Sequence, residues 1–457
     1  MITGESMPVK KQIGDKVIGA TINQDGSFVM KVLKSSEHSM LSQIIKMVMD
    51  AKKSQTKIQK LADQISSWFV PLVIGISIIT FFIWLFAFGD LTMGLISAVT
   101  VLIIACPCAL GLATPMSIIT ALGKGAANGV LVKNSQSLEK MKNVNVIVVD
   151  KTGTLTEGKP KLTKIITTKD FEETEVLKLA ASLENQSEHP LAKAIKNSVK
   201  EKNISLYDAK DFVTPIGKGV SGVVHNQKIL IGNSKFLEEN NVECNALKET
   251  SDKFKETGAT VIFIAIDAKL AAVFVIEDAI KETSFEAVKT LQNLGIKIVM
   301  LTGDNQKTAN NVAKKLGITE VFAEVLPQDK SRIVSDFKSK GKIVAMVGDG
   351  INDAPALATA DVGIAVANGT DVAIESAEIV LLHGDLAKLV KAYNLSQKTM
   401  RNIKENLFFA FGYNALGIPL ATGLLGFHLS PIFAAAAMSL SSVSVIVNSL
   451  RLKMIKI

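Results

Sequence analysis

The sequence predicts a multi-domain α/β protein with a membrane-embedded α-helical part, on three observations. Long uncharged runs lie at 64–89, 91–123 and 406–450. Between the second and third runs, short apolar strand patterns alternate with helical ones, and Asp150, Asp304, Asp349 and Asp353 fall at strand ends. Of the 457 residues 48 % are hydrophobic and only 21 % charged, with a mean hydropathy of +0.30. That balance argues against disorder and against an ordinary soluble enzyme. The 51 Lys+Arg against 43 Asp+Glu leave a formal charge of +8. No nucleic-acid motif accompanies this excess, and the Lys clusters flank the apolar runs, so the predicted partner is a lipid bilayer and not nucleic acid. Three cysteines exclude a disulfide framework. The opening Met1-Ile2-Thr3-Gly4-Glu5 lacks the basic and apolar regions of a signal peptide.

Taken in order, residues 1–33 carry β-type runs at Val17 to Asn23 and Gly26 to Met30, and 34–63 form a linker helix. A spanning helix needs ~20 apolar residues. The runs within 64–123 therefore hold one span each, and the run within 406–452, turned at Gly423 to Pro431, holds two. That predicts four membrane helices in two hairpins. Lys52, Lys53, Lys57 and Lys60 precede the first span, and Lys124 and Lys133 follow the second. Lys398, Arg401 and Lys404 precede the third; Arg451, Lys453 and Lys456 follow the fourth. The connections near Asp90 and His428 carry no Lys or Arg. The positive-inside tendency then puts the open ends of both hairpins, and the polar insert between them, in the cytoplasm of a multi-pass cell-membrane protein.

Within the insert, Val144 to Val149 reads as a buried strand ending at Asp150. Ile296 to Leu301 runs into Thr302-Gly303-Asp304-Asn305, and Lys342 to Val347 into Gly348-Asp349-Gly350-Ile351-Asn352-Asp353-Ala354-Pro355. Val362 to Val366 is a fourth apolar run, and Thr283 to Leu294 and Thr308 to Leu316 are helical. This grammar predicts a doubly wound parallel sheet whose crevice lies at the strand carboxyl ends. Several carboxylates at one crevice call for a cation, and Mg²⁺ shares such ligands with substrate phosphate. One carboxylate can instead act as nucleophile and form an aspartyl-phosphate. Asp150 is the candidate, because Lys151-Thr152-Gly153-Thr154-Leu155-Thr156 follows it with a cation, hydroxyls and a glycine that lets backbone approach a phosphoryl group. Lys330 is a second candidate cation.

The motifs at 150–156, 302–304 and 348–355 resemble the signatures of P-type ATPases, and Thr3-Gly4-Glu5-Ser6 resembles their actuator loop. The resemblance runs over the whole chain in order. It implies a haloacid-dehalogenase-like (Rossmann-like) phosphorylation domain at 124–160 and 272–390, with an inserted α+β nucleotide-binding domain at 161–271. A partial β actuator domain at 1–33 and a connecting helix at 391–405 complete the division. It also implies that Asp150 is phosphorylated, that Asp150, the Thr152 backbone and Asp349 hold Mg²⁺, and that Thr302, Lys330 and Asn352 steady the phosphate. Lys151, Gly303, Asp304 and Asp353 belong to the same motifs, and Glu5 would help water attack the aspartyl-phosphate. Ser187-Glu188-His189-Pro190 resembles the ATP-binding His-Pro element of the heavy-metal branch. Glu184, Gly217, Gly219 and Asn233 match its supporting positions.

The membrane runs speak to the ion. Cys106-Pro107-Cys108 sits inside an apolar span. Residues two apart point about 200° away from each other on a regular helix, but Pro107 removes a backbone donor and lets the helix loosen, so both sulfurs can reach one site. Two thiolates select Cu(I), Zn²⁺ or Cd²⁺. Tyr413, Asn414, Met438 and Ser442, with Ser441 adjacent, add thioether and uncharged polar groups and no carboxylate, which favours Cu(I). The Tyr-Asn pair and Met-x-x-Ser-Ser resemble the copper(I) branch. The zinc and cadmium branch shares Cys-Pro-Cys but places Lys and Asp in the last helices. The resemblance implies ATP-driven copper(I) export, a cytosolic copper chaperone as partner, and a missing N-terminal part of the same pump. The alternatives are a Zn²⁺/Cd²⁺ P-type ATPase, or a transport-incompetent fragment retaining only ATP binding and phosphatase-type chemistry, or only binding.

Overall fold

The structure is a computed structural model and describes residues 13, 29–31, 56–187, 189–215, 218–256, 258–349, 353–367, 376–382 and 384–457. The expected partial actuator domain and most of the linker helix lie outside the described residues. The chain divides into two compact units: one is built from Asn145–Ala360, the other from the described residues before and after that stretch.

The second of these begins with helix α1, Lys57–Ala87, whose N-terminus is capped by Thr56 Oγ1 accepting from the Gln59 N–H at 3.1 Å. Asp90, the one charge between the first two apolar runs, caps helix α2, Leu91–Ile104, by accepting from the Met93 N–H at 2.9 Å. Helix α3, Cys108–Ala127, resumes after a break at 105–107. Strand β1, Val130–Val132, and helix α4, Ser135–Lys142, follow. Outward-facing Trp68, Leu72, Ile79, Phe86 and Leu95 are exposed, as a lipid-facing surface requires and a water-facing one does not.

The unit Asn145–Ala360 starts with β2, Val146–Asp150, buried at every position. After the loop Lys151–Leu155 comes the long strand β3, Thr156–Thr167, then helices α5, Glu173–Glu184, and α6, Pro190–Glu201. Strands β4, Ala209–Val213, β5, Gly219–Val224, and β6, Gln227–Gly232, are followed by α7, Ser234–Glu239, and α8, Asn245–Glu256. Strands β7, Thr260–Ile266, and β8, Lys269–Ile280, close an antiparallel sheet in the order β3-β8-β7-β6-β5-β4. Its core packs Leu177, Leu183 and Ile195 from the helices against Ile229, Ile264 and Phe274. The chain then passes through α9, Glu282–Asn293, β9, Lys297–Leu301, α10, Gln306–Leu316, β10, Glu320–Phe322, α11, Pro327–Ser339, β11, Val344–Gly348, and α12, Ala354–Thr359. Strands β11, β2, β9 and β10 pair parallel in that order. Their near-continuous Val, Ile and Met runs suit a sheet buried on both faces.

Beyond this unit, β12, Val362–Ala367, pairs parallel with β13, Ile379–Leu382, which pairs antiparallel with β1. Helix α13, Ala387–Ala421, and helix α14, Pro431–Arg451, end the fold. Among the described residues, three helices are long and apolar enough to cross a membrane: Ile58–Ala87, Leu91–Ala127 taken through its break, and Pro431–Arg451. This departs from the four expected. The segment 406–421 is helical, but Lys388, Lys391, Lys398, Arg401, Lys404 and Glu405 occupy the earlier turns of α13, and the apolar part ends at the Gly423 turn. What remains falls short of the roughly 20 residues that a span needs.

Candidate functional site

Asp150, Thr302 and Asp349 stand at or just beyond the carboxyl ends of the adjacent parallel strands β2, β9 and β11. Lys330, near the start of α11, reaches across. Its Nζ donates to Asp150 Oδ1 and to Asp353 Oδ1, both at 2.7 Å, and all three side chains are buried. Burial pushes the Asp150 carboxyl up to about 7, with the neighbouring Asp353 charge adding to it and Lys330 opposing. Burial and Asp353 also raise Asp349. For Lys330 burial pulls downward, but the two carboxylates outweigh it and the group is raised. Lys330 is thus shared between two buried carboxylates, and Asp353 Oδ2 is buried with no hydrogen-bond partner among the described residues.

The loop after Asp150 is shaped by close approach. Gly153 has φ +76°, and a Cβ there would stand 3.1 Å from Asp349 Oδ2. At Gly348 a Cβ would fall 2.2 Å from Asp353 Oδ2, so glycine is required for Asp353 to turn in. Lys151 pairs with Asp304, and Asp304 N–H donates to Thr302 Oγ1 at 3.1 Å. Gly303 and Thr152 are exposed and open to a ligand.

Several contributors here went unselected in the sequence. Lys281 Nζ donates to the Gly153 carbonyl at 2.7 Å, and its charge acts on Asp349. Thr156 Oγ1 donates to Asp278 at 2.6 Å, at the end of the β3–β8 pair nearest the Asp150 loop. Thr154 Oγ1 is buried without a partner among the described residues. Thr154 and Thr156 stood in the motif itself, whereas Lys281 and Asp278 lie more than 120 positions away in sequence, and no local signal marks them. Asn352 and Glu5 lie outside the described residues.

Mg²⁺ fits this donor set. No cluster of three His, Cys, Asp or Glu able to close a metal cage occurs among the described residues. Mg²⁺ does not need one, because it characteristically binds one or two carboxylates together with substrate phosphate. The repulsion among the crowded carboxylates and the unpartnered Asp353 oxygen are what such a cation would relieve.

In the antiparallel subdomain, Glu184 ends α5 and is buried; its Oε2 has no partner among the described residues, and burial raises its pKa against the opposing effects of Ser187 and Lys196. His189 caps α6, its Nδ1 accepting from the Leu191 N–H at 3.3 Å. Gly219 on β5 faces Gly232 on β6 so closely that a Cβ would meet the Ile231 carbonyl oxygen at 2.2 Å. Asn233, next in sequence, caps α7. Gly217 lies outside the described residues. His189 and Asn233 thus have capping duties visible in the fold, and Glu184 is the side chain with an unsatisfied atom.

In the membrane part, the break at 105–107 puts Cys106 and Cys108 with Cα atoms 5.5 Å apart and their sulfurs joined as a disulfide. This differs from the two separate thiolates expected. The reduced pair presents two sulfurs to one place because Pro107 has interrupted the helix. Ile104 seats against Gly417, Cys106 packs on a cluster containing Ile104, Ala105 and Met438, and Ala109, Leu110 and Ala113 share a cluster with Ala410 and Val445. Asn414, between Ala410 and Gly417, and Ser441, between Met438 and Val445, therefore lie level with the break. Both are buried, and Asn414 Oδ1 and Ser441 Oγ have no partner among the described residues. Tyr413 is half-buried. The Ser442 hydroxyl instead donates back to the Met438 carbonyl at 3.3 Å, so Ser441, unselected in the sequence, carries the unsatisfied oxygen.

Residues 144–361 match the family model of the haloacid dehalogenase-like hydrolases, and 1–49 that of the P-type ATPase actuator domain. The chain is 57% identical over 459 residues to a copper-exporting P-type ATPase of Legionella pneumophila, covering 99% of this chain and 62% of that protein. It is 53% identical to a silver-exporting P-type ATPase of Salmonella typhimurium, covering 100% and 56%. It thus spans little more than half the length of these curated relatives. The crystal structure of a zinc-transporting PIB-type ATPase in the E2.Pi state superposes with a TM-score of 0.77 at 32% identity, covering 93% of this chain and 69% of that one.

Proposed function

The chain belongs to the heavy-metal P-type ATPases, and from that premise we propose that it carries the catalytic and ion-binding parts of an ATP-driven copper(I) exporter of the cell membrane. The reaction is ATP + H2O + Cu⁺ inside giving ADP + phosphate + Cu⁺ outside, through an aspartyl-phosphate on Asp150. The observation that carries the choice of ion is the broken helix at Cys106-Pro107-Cys108, level with Met438 and with the unsatisfied oxygens of Asn414 and Ser441. Two thiolates and a thioether without a carboxylate suit a soft monovalent ion. Silver export by one relative fits the same chemistry.

In this reading the Asp150 carboxylate attacks the terminal phosphoryl group of ATP, and ADP leaves. Lys330 neutralises negative charge on the group in transfer and holds Asp150 in line from 2.7 Å. Asp353 anchors Lys330 from the other side. Asp150, the Thr152 backbone and Asp349 would hold Mg²⁺, which would supply charge neutralisation to the phosphate when bound. Thr302, Gly303 and Asn352 line the phosphate, while Lys151 and Asp304 brace each other beside it. Glu184, His189, Gly217, Gly219 and Asn233 form the ATP subsite. Glu5, within the segment that matches the actuator domain, positions water to release phosphate from Asp150. The catalytic unit lies in the cytoplasm in this reading, and a cytosolic chaperone delivers the ion.

Resemblance to a zinc-transporting structure favours the second reading, a Zn²⁺/Cd²⁺ pump. The two separate in one assay. ATP hydrolysis by the protein in lipid, under reducing conditions, is measured with Cu(I), Ag(I), Zn²⁺ and Cd²⁺ side by side. The copper reading expects stimulation by Cu(I) and Ag(I) that Cys106→Ser removes. Stronger stimulation by Zn²⁺ or Cd²⁺ transfers the assignment to the second reading, and ATP hydrolysis indifferent to all four ions leaves only phosphatase-type chemistry.

A further inference from the structure

Apart from the sulfur site, the helices α3, α13 and α14 share a second buried polar cluster, formed by Ser117, Asn402, Asn406, Asn448 and Ser449. Asn406 is fully buried, and every polar atom of its amide is used. Its Nδ2 donates to Ser449 Oγ at 2.8 Å and to Ser117 Oγ at 2.9 Å, and its Oδ1 accepts from Asn448 Nδ2 at 2.9 Å. One turn away, Asn402 Oδ1 accepts from Ser117 Oγ at 2.8 Å, and Asn402 Nδ2 donates to the Asn448 carbonyl at 2.9 Å. At the outer edge, Glu405 accepts from Arg401 at 2.9 Å and Arg451 at 3.0 Å.

The spacing connects this cluster to the sulfur site. Ser117 lies nine residues beyond Cys108 on α3, Asn406 eight before Asn414 on α13, and Ser449 eight beyond Ser441 on α14. At 1.5 Å per residue, each helix carries its cluster residue and its site residue about 12–14 Å apart. Apolar contacts alone fix the axial position of membrane helices poorly, since lipid is as apolar as the partner helix and small residues slide. Directional hydrogen bonds to a buried amide are different: a slip of one residue on any of the three helices strands several of them in an apolar surround. A single buried Asn setting helix register is the best-attested use of such groups.

We propose that the hydrogen-bond network centred on Asn406 locks the axial register of α3, α13 and α14 and so positions Cys108, Asn414, Met438 and Ser441 around one ion. Asn406 is a positioning residue and does not touch the ion. The assignment rests on the copper(I) reading of that site.

Asn406→Leu alone strands two hydroxyls and can unfold the bundle for that reason. The decisive variant is therefore Ser117→Ala/Asn402→Leu/Asn406→Leu/Asn448→Leu/Ser449→Ala, which removes all five side-chain members of the network together and keeps the interface apolar. The full chain in detergent, under reducing conditions, is titrated with Cu(I) against a competing Cu(I) chelator, with helical content and melting temperature measured in parallel. This five-residue variant should keep helicity and melting close to wild type while Cu(I) affinity falls by about 10- to 100-fold, the range for residues that orient metal ligands from outside the coordination shell. Cu(I) affinity equal to wild type overturns the assignment. Loss of helicity in the five-residue variant also overturns it, by making the network a stability device. Failure of the unsubstituted protein to bind Cu(I) strikes the copper reading itself, and the positioning role falls with it.

Discussion

Removing the Lys330 ammonium isolates the most concentrated electrostatic feature of the catalytic unit. Lys330 is buried and bridges Asp150 and Asp353 at 2.7 Å each, with Asp349 near enough to feel the same field. Lys330→Met keeps much of the side chain's length and deletes the charge. Breaking a buried ion pair by removing one partner costs about 3–5 kcal/mol, because the remaining charge is stranded. Here the chain has a partial escape, since the Asp150 carboxyl already titrates at about 7 and loses the one neighbour that holds it down. In the variant its pKa must rise further.

The sign of the pH effect follows. Above pH 7 wild-type Asp150 is progressively ionised, whereas the folded variant keeps its proton to higher pH and its unfolded chain does not. The variant should therefore lose stability relative to wild type as pH rises above 7, with a limiting slope of roughly 1.4 kcal/mol per pH unit for one such proton. Chemical denaturation of both proteins at pH 7, 8 and 9, followed by circular dichroism, measures this, and phosphoenzyme labelling from ATP should be lost at each pH. A destabilisation that does not grow with pH would refute the charge argument. Undiminished labelling would remove Lys330 from the catalytic machinery.

Asp150→Asn should abolish acid-stable, hydroxylamine-labile labelling from γ-labelled ATP, because an amide is not a competent nucleophile; labelling that persists would move the phosphorylated residue elsewhere. Gly348→Ala should depress phosphoenzyme formation by about 100-fold, the order expected when a catalytic group shifts by an ångström, because its Cβ would occupy the place of Asp353 Oδ2; a wild-type rate would mean that Asp353 does not position Lys330. Glu184→Gln should raise the melting temperature at pH 7–8 while weakening ATP binding. Burial raises the Glu184 pKa, so wild-type stability falls as pH rises from the ordinary carboxylate value through the raised one, a dependence the amide lacks. Parallel pH profiles for the two proteins would show that Glu184 pays no such penalty.

Much of this architecture was legible because its signals are local. Val146–Asp150, Lys297–Leu301 and Val344–Gly348 are unbroken apolar runs, and a strand buried on both faces can hardly be written otherwise. The Asp90 cap and the Pro107 break likewise act within one turn of themselves. The count of spans was less legible. Charge gaps suggested four, but α13 spends its first turns on charged residues and leaves a short apolar remainder.

The sequence by itself determined which residue types are present for the chemistry and at which strand ends they occur: Asp150 before a phosphate-friendly loop, Asp349 and Asp353 after β11, two sulfurs beside a proline. Only the tertiary structure decided how they are paired. Lys330 could have been a surface lysine until α11 delivered it between Asp150 and Asp353. Lys281 reaches Gly153 across 128 positions of sequence. Ser441 and Ser442 are indistinguishable by spacing, and the helix packing leaves the first unsatisfied while the second bonds to its own helix. The physical reason is the same throughout. Periodicity and turn chemistry are set by neighbours a few residues apart, whereas the cost of a buried charge or an unpaired hydroxyl is set by whatever the fold brings against it.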